Sequence, residues 1–160
     1  MTLAAPAVPT VERARLQDVE AMKGILDDFA RSGDLLARSR LDLYESIRDF
    51  VVAREGGELV GLSALRICWI DLAEVRSLAV RRDRQRRGIG RVLVERCLQE
   101  AQELGLARVF ALTYRPHFFQ TLGFHEVEKS TLPHKVWQDC VHCVKFPECD
   151  ETAVMRDLRG

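Results

Sequence analysis

Apolar residues recur at helical spacing through Val19, Met22, Ile25, Leu26 and Phe29, which predicts an amphipathic helix with Asp18 as its N-cap and Gly33 as its stop. A short strand over Val11 to Ala14 precedes it. A second helix is expected after Ser39, with Leu41, Tyr44, Ile47 and Phe50 on one side. From Phe50 onward the pattern changes to Val/Ala/Leu-rich runs broken at Gly56-Gly57, the signal of a hairpin whose second strand runs toward Trp69. The run Leu72 to Val80 reads as the next strand. After an arginine-crowded turn comes a helix with Leu93, Cys97, Ala101 and Leu104 on its buried stripe and Gly105 as its end. Strands are predicted at Val109 to Thr113, Phe124 to Val127 and Ala153 to Leu158, with a helical turn over Phe118 to Leu122.

The strand-helix-strand passage between residues 72 and 113 implies a parallel pair joined by a crossover helix, inside a sheet that is otherwise antiparallel. The expected fold class is therefore mixed α+β. Residues 1–9 are Ala/Pro-rich with nothing to bury and are expected to form a disordered tail, leaving residues 10–160 as one domain. Twenty-four basic residues balance twenty-four acidic ones, so no global field gathers nucleic acid or an anionic membrane. No apolar run approaches the ~20 residues of a membrane span, and the first ten residues carry no basic signal region. Five cysteines are an odd number in a chain that needs no disulfide staples, so the expectation is reduced thiols and a cytoplasmic location.

The most informative segment is Val80 to Val92, where Arg81, Arg82, Arg84, Arg86, Arg87 and Arg91 surround Gly88-Ile89-Gly90 at the start of a helix. Glycines let the backbone turn tightly and expose N–H groups, which together with the helix dipole can hold a phosphate or diphosphate. Position 93 is Leu, so the dinucleotide fingerprint G-x-G-x-x-G is absent, and no Lys-Ser/Thr pair follows to make a P-loop. An arginine run also suits a solvated face or a nucleic-acid patch, but the balanced charge argues against nucleic acid.

Gln85-Arg86-Arg87-Gly88-Ile89-Gly90 resembles the [QR]-x-x-G-x-[GA] signature of the GNAT acetyltransferases. The preceding strand ends in Leu78-Ala79-Val80 as that family's fourth strand does, and Phe118 to Phe124 is similar to its late F-[YF]-x-x-x-G-F segment. The resemblance implies a GNAT fold, with a mostly antiparallel sheet whose central parallel pair splays at the acetyl-CoA site between flanking helices. Acetyl-CoA would be the co-substrate. Leu78, Ala79 and Val80 would pair with its pantetheine arm, and Gln85, Arg86, Arg87, Gly88, Ile89, Gly90 and Arg91 would hold its diphosphate, with Phe118 and Phe119 completing the cofactor side.

Glu74 stands where several members of the family place the glutamate that takes the amine proton through water; pairing with Arg76 on the same strand face is its other reading. Many members protonate the departing thiolate with a tyrosine four residues before the late glycine, where this sequence has Phe119. Thr113, Tyr114 or a water are the remaining sources, and a coenzyme A thiolate can also leave without an acid.

Within the family, Leu35 to Arg40, Asp71 to Val80 and Leu132 to Cys140 are most similar to bacterial N-acetylglutamate synthases, especially the short forms without an amino-acid-kinase domain. That implies acetylation of the α-amine of L-glutamate, or of L-glutamine, as the first step of arginine synthesis, by a homodimer. Arg38, Arg40, Arg76, Arg115 and Lys135 fall in acceptor-side segments, and guanidinium forks suit a dianion. The open alternatives are a GNAT enzyme for another small amine or a peptide N-terminus, and a non-catalytic amino-acid or coenzyme A sensor. Cys140, Cys143 and Cys149, with His134 and His142, have ligand types suited to zinc, but lack the second half of a standard module; loop cysteines lead over a metal or redox role, and no metal is expected.

Overall fold

The computed structural model describes residues 9–133 and 150–159. Seven strands, β1 (Thr10–Arg13), β2 (Phe50–Glu55), β3 (Glu58–Trp69), β4 (Leu72–Val80), β5 (Arg108–Thr113), β6 (His125–Val127) and β7 (Thr152–Asp157), run in the sheet order β1-β2-β3-β4-β5-β7-β6. Four α-helices accompany them: α1 (Val19–Arg31), α2 (Arg40–Glu45), α3 (Ile89–Glu103) and α4 (Pro116–Gln120). β4 and β5 are parallel, with Leu72 opposite Arg108, Ala73 opposite Val109 and Glu74 opposite Phe110. The β1–β2, β2–β3, β5–β7 and β6–β7 ladders are antiparallel. This is the mixed sheet that the crossover between residues 72 and 113 requires.

The chain divides into two compact units, Met1–Ala64 with Ser77–Cys97, and Leu65–Arg76 with Leu98–Gly160. In the first, Val19, Met22, Ile25, Leu26 and Phe29 of α1 pack with Phe50, Val52, Leu62 and Ala64, the face that the helical spacing specifies. Gly56 and Gly57 both take positive φ in the two-residue turn between β2 and β3, where the register pairs Glu55 with Glu58. Arg54 donates to Glu12 at 2.6 Å and to both oxygens of the buried Asp18 at 2.7 and 2.8 Å. These bonds, first to Asp18 and then to Glu12, raise the Arg54 pKa above its ordinary value. In the second unit the core is Leu72, Phe110, Leu132, Ala153 and Met155.

Two expectations about helix faces are corrected. The second helix stops at Glu45, so Ile47 lies in a 3-10 turn and Phe50 already belongs to β2. Its buried residue is Leu43, while Leu41 and Tyr44 are exposed, because six residues anchor through one side chain. Leu104 is also exposed rather than part of the buried stripe. Helix α3 closes in a Schellman motif, with Gly105 N–H donating to Gln102 O and Leu106 N–H to Ala101 O, and this places Leu106 in the apolar position. Among the described residues no helix is long and apolar enough to cross a membrane.

Candidate functional site

In the first unit, β4 leads through a 3-10 turn at Arg82–Arg84 into the glycine turn and α3. Gln85 Nε2 donates to Val80 O at 3.1 Å and Arg81 N–H to Val60 O at 2.8 Å, which closes the loop on the end of the strand. Gly88 has φ +80° and Arg86 φ +65°. At Gly88 the left-handed backbone suits the residue, whereas at Arg86 it costs about 1–3 kcal/mol. The first N–H groups of the 15-residue α3 lack intrahelical acceptors, as at any helix start. Gly61 permits the close approach beneath: a Cβ there would meet Leu93 Cδ1 at 3.1 Å and Ala79 O at 3.2 Å.

The six arginines separate by partner. Arg81 pairs with Glu58 and Asp83, Arg82 with Asp28 and Asp34, Arg84 with Glu55 and Asp83, Arg87 with Glu55, and Arg91 with Glu95. Arg82 also lies over the Phe29 ring, 4.4 Å from its centroid. Among the described residues only Arg86, exposed on the turn, has no acidic partner in this set. An open groove of about 570 Å³, lined in part by Gly24, Ile25, Asp28, Glu58, Arg81 and Arg82, belongs to the same unit, but its arginines are already neutralised by carboxylates.

On the segment of this unit that the resemblance assigns to the acceptor, Arg38 donates from Nε to Ser77 Oγ at 3.1 Å and from Nη1 to Asp42 Oδ2 at 3.0 Å. Lys23 Nζ donates to the Arg38 carbonyl at 3.0 Å and to Asp27 at 3.1 Å, and Ser39 Oγ caps α2 by accepting Asp42 N–H. Arg38 is thereby fixed, with its side chain 19% exposed. Arg40 instead forms a bidentate pair with Glu20 at 2.6 and 3.2 Å on an exposed surface, and that hydrogen bond holds the Glu20 carboxyl below its usual range. Ser77, a residue with a Cβ inside β4, has φ +57°.

In the second unit, Glu74 and Arg76 are half-buried on β4 and alternate with the buried Ala73 and Val75. Thr113, at the end of β5, accepts Arg115 N–H at 2.8 Å, and Tyr114 donates its hydroxyl to Asp150 Oδ1 at 2.7 Å. Arg115 is exposed at the start of α4. Phe119 is buried edge-on to Phe124, with centroids 5.1 Å apart, and to Phe118 at 5.2 Å. The late motif has a local explanation: Gly123, at φ +88°, donates to Gln120 O, and Phe124 N–H to Phe119 O, another Schellman closure with its apolar clasp. Lys135 and the Cys140, Cys143 and Cys149 segment, with His134 and His142, lie outside the described residues. Among those described, no cluster of three or more His, Cys, Asp or Glu could hold a metal.

Sequence reasoning placed the glycine turn but missed two residues that shape its surroundings. Glu55 neutralises two of the arginines from the β2–β3 hairpin, and Asp42 holds Arg38. At Ser77, after which the resemblance implies that the strand splays, the backbone takes the left-handed conformation. The residue types gave no signal for Glu55, whose arginine partners lie about 30 positions away. Asp42 could have been found from its i,i+4 spacing to Arg38.

A strand with a left-handed residue running into a glycine turn and a helix start, in a sheet whose β4–β5 pair is parallel, agrees with the coenzyme A-binding acyltransferase class that the sequence resemblance implies. The sequence matches the acetyltransferase (GNAT) family over residues 19–126, and the chain belongs to that family, an N-acetyltransferase with acetyl-CoA as donor. An uncharacterized N-acetyltransferase of Chlorobaculum tepidum is 42% identical over 154 residues, covering 96% of this chain and 99% of that protein. The amino-acid acetyltransferase of Mycobacterium tuberculosis is 40% identical over 134 residues, covering 82% of this chain and 76% of that one. The structure of N-acetylglutamate synthase from Neisseria gonorrhoeae, complexed with coenzyme A and N-acetyl-glutamate, superposes with a TM-score of 0.87 at 26% identity. That match covers 98% of this chain and 37% of the synthase.

Proposed function

We propose that the chain acetylates the α-amine of an amino acid, L-glutamate or its amide L-glutamine, as the first step of arginine synthesis in the cytoplasm. The observation that carries this reading is the fixed guanidinium of Arg38: Nε and Nη1 are held by Ser77 and Asp42, and Nη2 has no acceptor among the described residues. A pre-oriented guanidinium suits a carboxylate better than a flexible ammonium does. The names of the mycobacterial and gonococcal relatives point to the same substrate class. Arg76, Arg115 and Lys135 are proposed as further acceptor contacts. Arg40 is the weaker member of the set because Glu20 already neutralises it.

For the co-substrate, the positive φ of Gly88, the helix-start amides and Arg86, which has no acidic partner among the described residues, support a diphosphate at the turn. Gln85, Arg87, Ile89, Gly90 and Arg91 complete the proposed cradle, the backbone of Leu78, Ala79 and Val80 receives the pantetheine, and Phe118 and Phe119 support the cofactor side. The neutral amine attacks the thioester carbonyl, forming the C–N bond. Glu74 takes the amine proton through water, and a β4 backbone N–H stabilises the developing oxyanion. The C–S bond then breaks. Thr113, Tyr114 or water supplies the thiolate proton; the engagement of the Tyr114 hydroxyl by Asp150 favours Thr113 or water.

A homodimer accompanies the reading, and the exposed Ile67, Trp69 and Ile70 at the end of β3 supply apolar surface for a second copy to cover. Light scattering that gives a monomer mass at micromolar concentration removes the dimer. The activity itself is tested by thiol release from acetyl-CoA against all twenty amino acids and a set of polyamines. Turnover with glutamate or glutamine is expected, and turnover with amines alone, or with none of the compounds, overturns the assignment.

A further inference from the structure

Ser77 takes φ +57° inside a strand, in a left-handed region that serine seldom occupies, yet its side chain is a hydrogen-bond acceptor for Arg38 Nε at 3.1 Å. The same guanidinium donates through Nη1 to Asp42, and the Arg38 carbonyl accepts from Lys23. Backbone and side chain of Arg38 are therefore each tied down, and the only guanidinium nitrogen without an acceptor among the described residues is Nη2. Asp42 is held in turn, since its N–H donates to Ser39 Oγ at the start of α2. Two residues, Asp42 of α2 and Ser77 of β4, thus converge on one guanidinium, while Lys23 of α1 holds the carbonyl behind it.

We infer that Ser77 is a positioning residue for the acceptor: its hydroxyl oxygen, carried into place by the left-handed turn of β4, aims the Arg38 Nη2 edge at the acceptor carboxylate. This rests on the reading that Arg38 binds the amino acid. A glycine at position 77 would adopt the same backbone more easily but would leave Nε without its acceptor and the guanidinium held by Asp42 alone. Serine at this position is therefore explained by the acceptor oxygen, since its backbone conformation favours glycine.

The test is a set of full-length variants assayed by thiol release with the preferred amino acid. Ser77→Gly is expected to raise the KM for the amino acid about tenfold, leave the KM for acetyl-CoA within twofold, and keep or raise Tm. Ser77→Asn, which tolerates positive φ and offers an amide oxygen, is expected to recover part of the amino-acid KM. In an Arg38→Ala background, Ser77→Gly is expected to add no further change, because its action passes through Arg38. If Arg38→Ala raises the amino-acid KM while Ser77→Gly leaves it within twofold of wild type, or if the two effects add fully, the positioning role is wrong and the acceptor reading stands. No amino-acid-dependent turnover in the wild-type protein, or an Arg38→Ala variant with unchanged amino-acid KM, overturns both.

Discussion

Glu55 Oε2 accepts a hydrogen bond from Arg87 Nη1 at 3.4 Å while its other oxygen lies 3.5 Å from Arg84 Nε, with the carboxylate only 9% exposed. One acid from the β2–β3 hairpin thus neutralises two arginines of the turn, and its role is to hold the turn in shape. Glu55→Gln is expected to cost about 1.5–3 kcal/mol of stability, the range for hydrogen bonds to charged groups. The KM for acetyl-CoA should not rise. Urea unfolding and initial-rate measurements on the same preparation check both halves, and a raised KM with unchanged stability contradicts the assignment.

Arg86 has the opposite profile, exposed and without an acidic partner among the described residues. Arg86→Ala is expected to raise the KM for acetyl-CoA about tenfold, equivalent to ~1.4 kcal/mol, and to weaken its dependence on ionic strength. Stability should stay within about 0.5 kcal/mol, as for other exposed substitutions. Arg86→Gly separates charge from backbone, since it relieves the φ of +65° and should be at least as stable while binding as weakly as the alanine variant. Arg82→Ala serves as the contrast, because Arg82 is bound to Asp28 and stacked on Phe29 and should leave the acetyl-CoA KM unchanged.

The sheet was legible because its signals are local. Gly56-Gly57 marks a two-residue turn, the Leu72–Val80 run has the bounds of β4, and the 3.6-residue spacing of Val19 to Phe29 names the buried face of α1. Where two helix ends were misread, tertiary geometry decided: α2 buries Leu43 instead of the Leu41/Tyr44 pair, and the Schellman closure at Gly105 turns Leu104 outward. The arginine-rich turn was legible as a glycine turn at a helix start but not in the partners of its arginines. Composition shows six cations, and the partners Glu55, Glu58, Asp28, Asp34, Asp83 and Glu95, four of them distant in sequence, leave Arg86 as the one without an acidic partner among the described residues.

Gly88 has φ +80° and nothing within 4 Å of where a Cβ would stand, so a Cβ there meets no clash and the penalty for alanine is conformational. Gly88→Ala is expected to cost about 1–2 kcal/mol of stability, and Gly88→Val more because of its β-branch. Both should lose acetyl-CoA affinity, since the helix-start amides turn with the backbone. Calorimetric titration with acetyl-CoA beside thermal melts checks this; full affinity in a destabilised Gly88→Val protein would show that the turn does not hold the co-substrate.

Arg54 is the brace of the first unit, joining Glu12 of β1 to Asp18 at the start of α1. Removing it leaves the Asp18 carboxylate buried without its main counter-charge, so Arg54→Ala is expected to cost about 3–5 kcal/mol. Denaturant unfolding monitored by circular dichroism measures it. Asp18→Asn in the same background should recover part of the loss, because it removes the uncompensated charge.

Glu74 is proposed as the base, and its half-buried place on β4, opposite Phe110 in the parallel ladder, holds it on a regular strand rather than a mobile loop. Glu74→Gln keeps the shape and removes the proton acceptor, so kcat is expected to fall by about 10²–10⁴ with the KM for acetyl-CoA unchanged. Initial rates of both proteins decide the matter: a variant with near wild-type kcat assigns proton removal to another group, and Glu74 is then a structural partner on the strand.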